Sequence, residues 1–220
     1  MSKAGRFITF EGVEGSGKTT IISMLAGRMR DLGEIPVLTR EPGGSGLGRD
    51  LRPLLLDSSQ TGLCAMAELY LFLADRAQHM EEEIMPSLAV DKTVICDRFL
   101  DSTIAYQSYG RGIELSRVRE LAATHDREPD LTVLLDVPIS LALSRARMRN
   151  AANGTEISEG RFEKEKIDFH ERVRHGYLEQ ARLFPARIKV IDAAMAPDQV
   201  LDACLQAIEN RFGSIAGWRF

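Results

Sequence analysis

The run Arg6-Phe-Ile-Thr-Phe10 reads as a short apolar strand, and the chain then turns glycine-rich: EGVEGSGKTT occupies positions 11–20. Gly12, Gly17, Lys18 and Thr19 match the spacing G-x-x-x-x-G-K-[ST]. Glycines at that spacing let backbone amides curl round a phosphate without Cβ clashes. Gly12, Val13, Glu14, Gly15, Ser16 and Gly17 would then cradle the β-phosphate of a nucleoside triphosphate. Lys18 would reach the β/γ oxygens, and Thr19 would ligate Mg²⁺. Thr20 follows in a helix whose N-terminus favours anions. A strand feeding such a loop, and the loop feeding a helix, commits the chain to a sheet with helices packed against it. One residue fits badly: Glu14 sets a carboxylate inside a loop built for anions.

The rest of the chain repeats the alternation. Phe7–Phe10, Pro36–Thr39, Thr93–Cys96, Leu131–Val137 and Ile188–Ile191 read as strands, several with the unbroken hydrophobicity of strands covered on both faces. Between them lie helical stretches at Lys18–Leu32, Cys64–Ala89, Ser116–Thr124, Ile139–Arg149, Glu163–Leu183 and Pro197–Phe212. In the longest, Met66, Leu69, Tyr70, Leu73, Ala77, Met80 and Ile84 form a stripe expected to face the core. The pattern predicts an α/β fold, a mainly parallel sheet with helices on both sides, as a single domain over 1–220. Two stretches, Glu41–Asp50 and Asn150–Gly160, read as functional loops.

Bulk properties narrow the function. A chain of 220 residues, 44% hydrophobic, can bury one full core. A net charge of -4 argues against the broad cationic surface that nucleic acid or an anionic membrane would need. No apolar run approaches the roughly 18 residues that span a bilayer, and the N-terminal apolar stretch is too short for a signal segment. Cys64, Cys96 and Cys204 are too scattered for a disulfide framework or a zinc site, so buried thiols in a reducing cytoplasm are expected.

Further candidates cluster where strands end. Thr93-Val-Ile-Cys-Asp97-Arg98 places a carboxylate at the sheet's C-terminal edge, where α/β ligands bind; Asp97 could hold Mg²⁺ or its waters, and Arg98 could face a phosphate. Asp136 ends another strand without an obvious anion partner and reads as structural. Arg40, in TREPGG, and Arg52 suit an anionic acceptor because guanidinium binds phosphate through paired donors. Phe72 and Arg76 stand at i and i+4 on one helix face, a plane and a donor that could stack a base and read its edge. Arg145, Arg147, Arg149 and Arg161 flank the second loop, where clustered arginines could close over a transferring phosphoryl group.

Taken in order, FITFEGVEGSGKTT, TREPGG, LYLFLADRAQH, CDRFLDSTIAYQSYGRGI, PDLTVLLDV and RFEKEKIDFHERV resemble the bacterial thymidylate kinase family over nearly the entire chain. The resemblance implies a three-layer P-loop NTPase sandwich on a five-stranded parallel sheet, with a mobile lid at about residues 145–163. It also implies a cytoplasmic homodimer and Mg-ATP-dependent conversion of dTMP to dTDP. By the same resemblance Glu14 binds the sugar 3′-hydroxyl or nearby waters, and Arg40, Arg52 and Arg98 hold the acceptor phosphate. Phe72 stacks on thymine, Arg76 meets its O4 edge, and Thr103 and Gln107 reach its other polar edge. Tyr106 crowds C2′ against ribonucleotides. Arg161 matches the lid arginine, with Arg149 next, and Arg145 lies on the ATP side. Phe99 stands where the family more often has tyrosine. A different nucleoside or nucleotide monophosphate kinase is the nearest alternative, and a nucleic-acid-linked ATPase a more distant one.

Arg161→Ala is expected to lower kcat severely while leaving dTMP affinity nearly intact, and wild-type turnover in steady-state assays would refute the assignment. Phe72→Ala is expected to raise the KM for dTMP far more than the KM for ATP; equal effects on both would remove Phe72 from the base site.

Overall fold

The computed structural model describes residues 5–59, 62–123, 127–154 and 160–215. Among these, strands β1 (Arg6–Glu11), β2 (Val37–Arg40), β3 (Thr93–Asp97), β4 (Leu131–Asp136) and β5 (Ile188–Asp192) form one parallel sheet in the order β2-β3-β1-β4-β5. All five strands were legible to within about a residue. Helices α1 (Lys18–Asp31), α2 (Gly46–Leu56), α3 (Ala65–His79), α4 (Met85–Ala89), α5 (Leu100–Thr103), α6 (Leu115–Ala122), α7 (Ile139–Asn153), α8 (Ile167–Leu183) and α9 (Pro197–Phe212) surround it. The three central strands are buried on both faces: Phe7, Ile8, Phe10, Val94, Ile95, Leu131, Val133 and Leu135 are fully enclosed. Phe10, Leu25, Leu135, Val173 and Ile208 belong to the main core, and Phe7, Met80, Ile84, Val94 and Phe99 to a second cluster.

A parallel sheet points every strand's carboxyl end the same way. Here those ends are Glu11, Arg40, Asp97, Asp136 and Asp192, so five charged residues stand along one edge. The chain leaves β1 for α1 and β2 on one side, while β4 and β5 lie on the other, which puts the crevice of the sheet beside the end of β1.

Several expectations need correction. The stretch Glu41–Asp50 is not all loop: α2 begins at Gly46, capped by the Ser45 hydroxyl, which accepts from the Gly48 amide at 2.9 Å. Gly46, Gly48 and Pro53 hid it, since glycine and proline disfavour helix. The helix expected over Cys64–Ala89 is divided by a π-helical turn at Met80–Ile84, followed by Pro86 near the start of α4. Tyr70, placed in the core stripe, is 49% exposed. α8 starts at Ile167, after a turn, rather than at Glu163. A compact segment that pattern reading passed over, α5 running into a π-helical stretch at Ile104–Gly110, follows β3. Of the second loop, residues 150–153 extend α7, Gly154 ends it at φ 66°, and 155–159 lie outside the described residues. Cys96 and Cys204 are buried as expected, but Cys64 is exposed because it sits at the cap position of α3. Asp136 is taken up by Arg174 through two 2.7 Å bonds, a structural pair as read. No helix among the described residues is long and apolar enough to cross a membrane.

Candidate active site

The site grows outward from the loop between β1 and α1. Gly12, Gly15 and Gly17 have φ of 139°, 75° and 94°, a range that side-chain-bearing residues rarely adopt. Lys18 folds back under the loop: its Nζ donates to the carbonyls of Gly12 and Val13, both at 3.0 Å, and to Ser16 Oγ at 3.3 Å. Burial, then the neighbouring Arg98, brings the Lys18 ammonium down to about 8. A phosphate arriving there would raise it again, since an opposite charge favours the ionised form.

Arg98 is the other fixed cation. It leaves β3 with φ 71°, a left-handed conformation that costs free energy in a non-glycine residue and tends to mark functional sites. That turn is held by its amide donating to the Phe10 carbonyl at 2.9 Å, and it sends the guanidinium across to the phosphate loop. Nη1 donates to Gly12 O at 2.9 Å, Tyr177 OH at 3.0 Å and Ser102 Oγ at 3.2 Å, while Nη2 donates to Glu14 Oε1 at 2.9 Å. Glu14 also accepts from the Tyr106 hydroxyl at 2.6 Å. Burial raises its pKa, but Arg98, Lys18 and Tyr106 outweigh that and hold the Glu14 carboxyl below its usual value. The carboxylate in the anion loop is therefore the counterion of a buried arginine.

Beneath them lies Glu11, fully buried. It accepts from the Phe99 amide at 2.8 Å, Ser102 Oγ at 2.6 Å and Tyr177 OH at 3.2 Å. Burial, and then Asp101, push it up to about 7. Asp101 itself is paired with Arg187.

Where the sequence reading put Mg²⁺, Thr19 Oγ1 donates to Asp97 Oδ2 at 3.2 Å. Asp97 Oδ1 is buried with no hydrogen-bond partner among the described residues, an oxygen available to a cation or its water. Among the described residues no cluster of three or more His, Cys, Asp or Glu could cage an ion. That fits Mg²⁺, which usually keeps several waters and takes one or two protein ligands plus phosphate oxygens.

A third group forms on α3. Arg76 Nε donates to Glu41 Oε2 and Nη2 to Thr103 Oγ1, each at 2.8 Å. Nη1 is buried without a partner among the described residues. The guanidinium lies 4.9 Å from the centre of the Phe99 ring, so the phenylalanine found in place of the family's tyrosine supports Arg76 from below. Glu41 also pairs with His79 Nδ1 at 3.0 Å, and His79 Nε2 meets Thr39 Oγ1 at 2.6 Å. Phe72 stands 6.3 Å from Phe162, which meets Tyr106 edge-on at 5.2 Å.

These groups line one cleft of about 610 Å³, within the usual range of ligand sites. Glu14, Gly15, Ser16, Gly17, Lys18, Thr19, Thr20 and Asp97 line it. So do Arg40, Arg52, Phe72, Arg76, Arg98, Thr103, Tyr106 and Gln107, together with Arg145 and Arg149. Gly12 and Val13 are not on its wall and serve through their carbonyls. Two of the four arginines expected round the second loop are not brought to the cleft: Arg147 is exposed on α7, and Arg161 donates to Glu68 Oε2 at 2.6 Å and to the Leu55 carbonyl at 2.9 Å. The sequence reading missed Ala193, Met195, Pro197 and Val200, an apolar wall beside Arg145, whose Nη1 donates to the Ala193 carbonyl at 2.8 Å. It also missed the buried polar supports Glu11, Glu41, Glu68, His79 and Tyr177. On α3, Glu68, Asp75 and His79 recur at i, i+7 and i+11, the spacing of one helix face, and that was the signal available.

Comparison with known proteins finds relatives over nearly the whole chain. The family model described as thymidylate kinase matches residues 10–204. A thymidylate kinase of Desulfovibrio desulfuricans is 55% identical over 205 residues, covering 92% of this chain and 94% of the relative. One of Nitratidesulfovibrio vulgaris is 50% identical, covering 93% and 96%. The crystal structure of thymidylate kinase from Ehrlichia chaffeensis superposes with a TM-score of 0.74 at 36% identity, over 94% of this chain and 99% of that one.

A Cβ on Gly15 would lie 1.9 Å from the Ala142 carbonyl of α7, whereas one on Gly17 would meet nothing within 4 Å. Gly15→Ala is expected to weaken ATP binding by about tenfold or more and to destabilise the fold by about 1–3 kcal/mol. Gly17→Ala carries only the backbone strain, so its loss of stability should be the smaller. Calorimetric titration and chemical denaturation check both.

Proposed function

The chain belongs to the thymidylate kinase family, and from that premise we propose that its cleft seats ATP and dTMP end to end, with Mg²⁺, for direct phosphoryl transfer giving dTDP. The observation that carries the reading is the continuity of the cleft: the phosphate loop, the Arg98–Glu14–Tyr106 cluster and the Phe72–Arg76 face share one wall. A nucleotide-dependent switch or a motor would have no use for the second and third of these.

The acceptor is a phosphomonoester whose second pKa is about 6. At neutral pH it already carries a nucleophilic oxygen anion, so no strong general base is needed. The enzyme's work is to align two polyanions and offset their repulsion. Arg98, Arg40 and Arg52 are assigned to the acceptor phosphate, and Lys18 to the donor. Arg98 changes little on binding, because Gly12, Tyr177, Ser102 and Glu14 already fix its position. Glu14 accepts from the sugar 3′-hydroxyl or its waters, and Tyr106 stands against C2′. Phe72 stacks the base, and the unpartnered Nη1 of Arg76 donates to its O4. Thr19 and Asp97 would hold Mg²⁺, which supplies charge neutralisation at the donor phosphates. Arg145 and Arg149 line the cleft and are assigned to the ATP side; Arg161 joins them only by leaving Glu68.

Apolar residues exposed on the long helical segment, Tyr70 and Met85, support a homodimer formed there. Three unpaired thiols accord with a reducing cytoplasm.

Incubating the protein with ATP, Mg²⁺ and each nucleoside monophosphate in turn is expected to give ADP release stimulated strongly by dTMP alone. Equal stimulation by several monophosphates would favour a broader kinase, and stimulation by DNA or RNA a motor.

A further inference from the structure

Glu68 is absent from the cleft wall and from every role above, yet it is one of the most heavily bonded side chains in the protein. It sits in the first turn of α3 and is fully buried. Arg111 grips both its oxygens, Nε to Oε1 at 3.1 Å and Nη2 to Oε2 at 3.1 Å. Arg161 adds a 2.6 Å bond to Oε2. The last donor is Gln107, whose Nε2 gives Oε1 a 2.9 Å hydrogen bond. Gln107 is 99% buried by its 1% exposure, but its side chain lines the cleft.

An amide has two ends, and which end faces a ligand decides what it can read. A carboxylate gripped by two guanidinium groups accepts and cannot donate. It therefore takes the NH₂ end of Gln107 and leaves Oε1 for the cleft. We infer that Glu68 is a positioning residue for base selectivity: by fixing the Gln107 amide it turns an acceptor toward the bound base. The inference rests on the base-site reading above and adds its polarity. Thymine and uracil present a carbonyl at C4 and an N–H at N3, matching the Arg76 donor and the Gln107 acceptor. Cytosine presents an amino group and a bare nitrogen at the same places, and both are mismatched. A site built to hydrogen-bond one edge rejects the other because its buried polar groups are left unpaired.

The variant that changes polarity at nearly constant shape is Glu68→Gln, whose own NH₂ can donate to Gln107 Oε1 and release the amide to turn. In Glu68→Gln the ratio of kcat/KM for dTMP over dCMP is expected to fall by about tenfold or more, with KM for ATP unchanged. Arg111→Gln, which loosens the clamp and keeps the carboxylate, should leave that ratio near wild type even if stability falls. A wild-type ratio in a folded, active Glu68→Gln enzyme would overturn the inference. A wild-type enzyme without dTMP preference would overturn the base-site reading itself, and the two failures are told apart by that control. Should Glu68→Gln not fold, side-chain NMR of the unsubstituted protein decides. The Gln107 NH₂ resonances, assigned by their disappearance in Gln107→Met, should resist hydrogen exchange without nucleotide, and fast exchange would overturn the inference.

Discussion

A guanidinium taken out of water must find acceptors for its donors, or its burial costs several kcal/mol. Arg98 meets that constraint in a way that organises everything near it. Its four bonds reach the phosphate loop through Gly12, the loop carboxylate Glu14, Ser102 on α5 and Tyr177 on α8. Glu11 then accepts from both Ser102 and Tyr177, closing the network onto the end of β1. The left-handed turn at Arg98 is tolerated because these contacts over-determine it. Their gain is electrostatic preorganisation: a positive charge is held fixed beside the phosphate loop before any ligand is there.

The same economy explains α3. Its buried side carries Leu69 but also Glu68, Asp75, Arg76 and His79, so the helix packs through ions as much as through apolar surface. Asp75 accepts from the Gly43 amide at 3.0 Å, and burial, then Glu41, raise it to about 6. Its other neighbour is Gly48, where a Cβ would come within 2.1 Å of Asp75 Oδ1. That close approach is why α2 carries a glycine at position 48.

How much of this was legible in the sequence follows from what each residue answers to. The strands were readable because a sheet covered on both faces demands continuous apolar runs, and Leu131–Asp136 or Thr93–Asp97 can be little else. The phosphate loop was readable because its glycines answer to backbone geometry and its lysine to a ligand. α2 was not, since Gly46, Gly48 and Pro53 answer to tertiary contacts that override propensity. The segment 100–110 was hidden for a related reason. It buries Asp101, Thr103, Tyr106, Gln107 and Ser108 among other elements, so no polar face alternates with an apolar one. Glu11 and Tyr177 gave no pattern because their partners stand 75 to 166 positions distant in the chain, and only folding brings those together.

Long-range definition of this kind ends at three consecutive residues. Arg161 bonds Glu68, the support of Gln107. Phe162 lies edge-on to Tyr106 and 6.3 Å from Phe72. Glu163 accepts from Arg149 at 3.0 Å and from Asn150 at 2.7 Å, at the far end of α7. One tripeptide thus touches the support of Gln107, the neighbours Phe72 and Tyr106, and Arg149; Gln107, Phe72, Tyr106 and Arg149 all line the cleft. Three consecutive residues span at most about 11 Å of extended chain, so these contacts are held close to one another. Supports that differ in chemistry, an ion cluster at Glu68, an aromatic group at Phe72 and Tyr106, and an arginine on α7, are thereby joined through one short stretch of backbone.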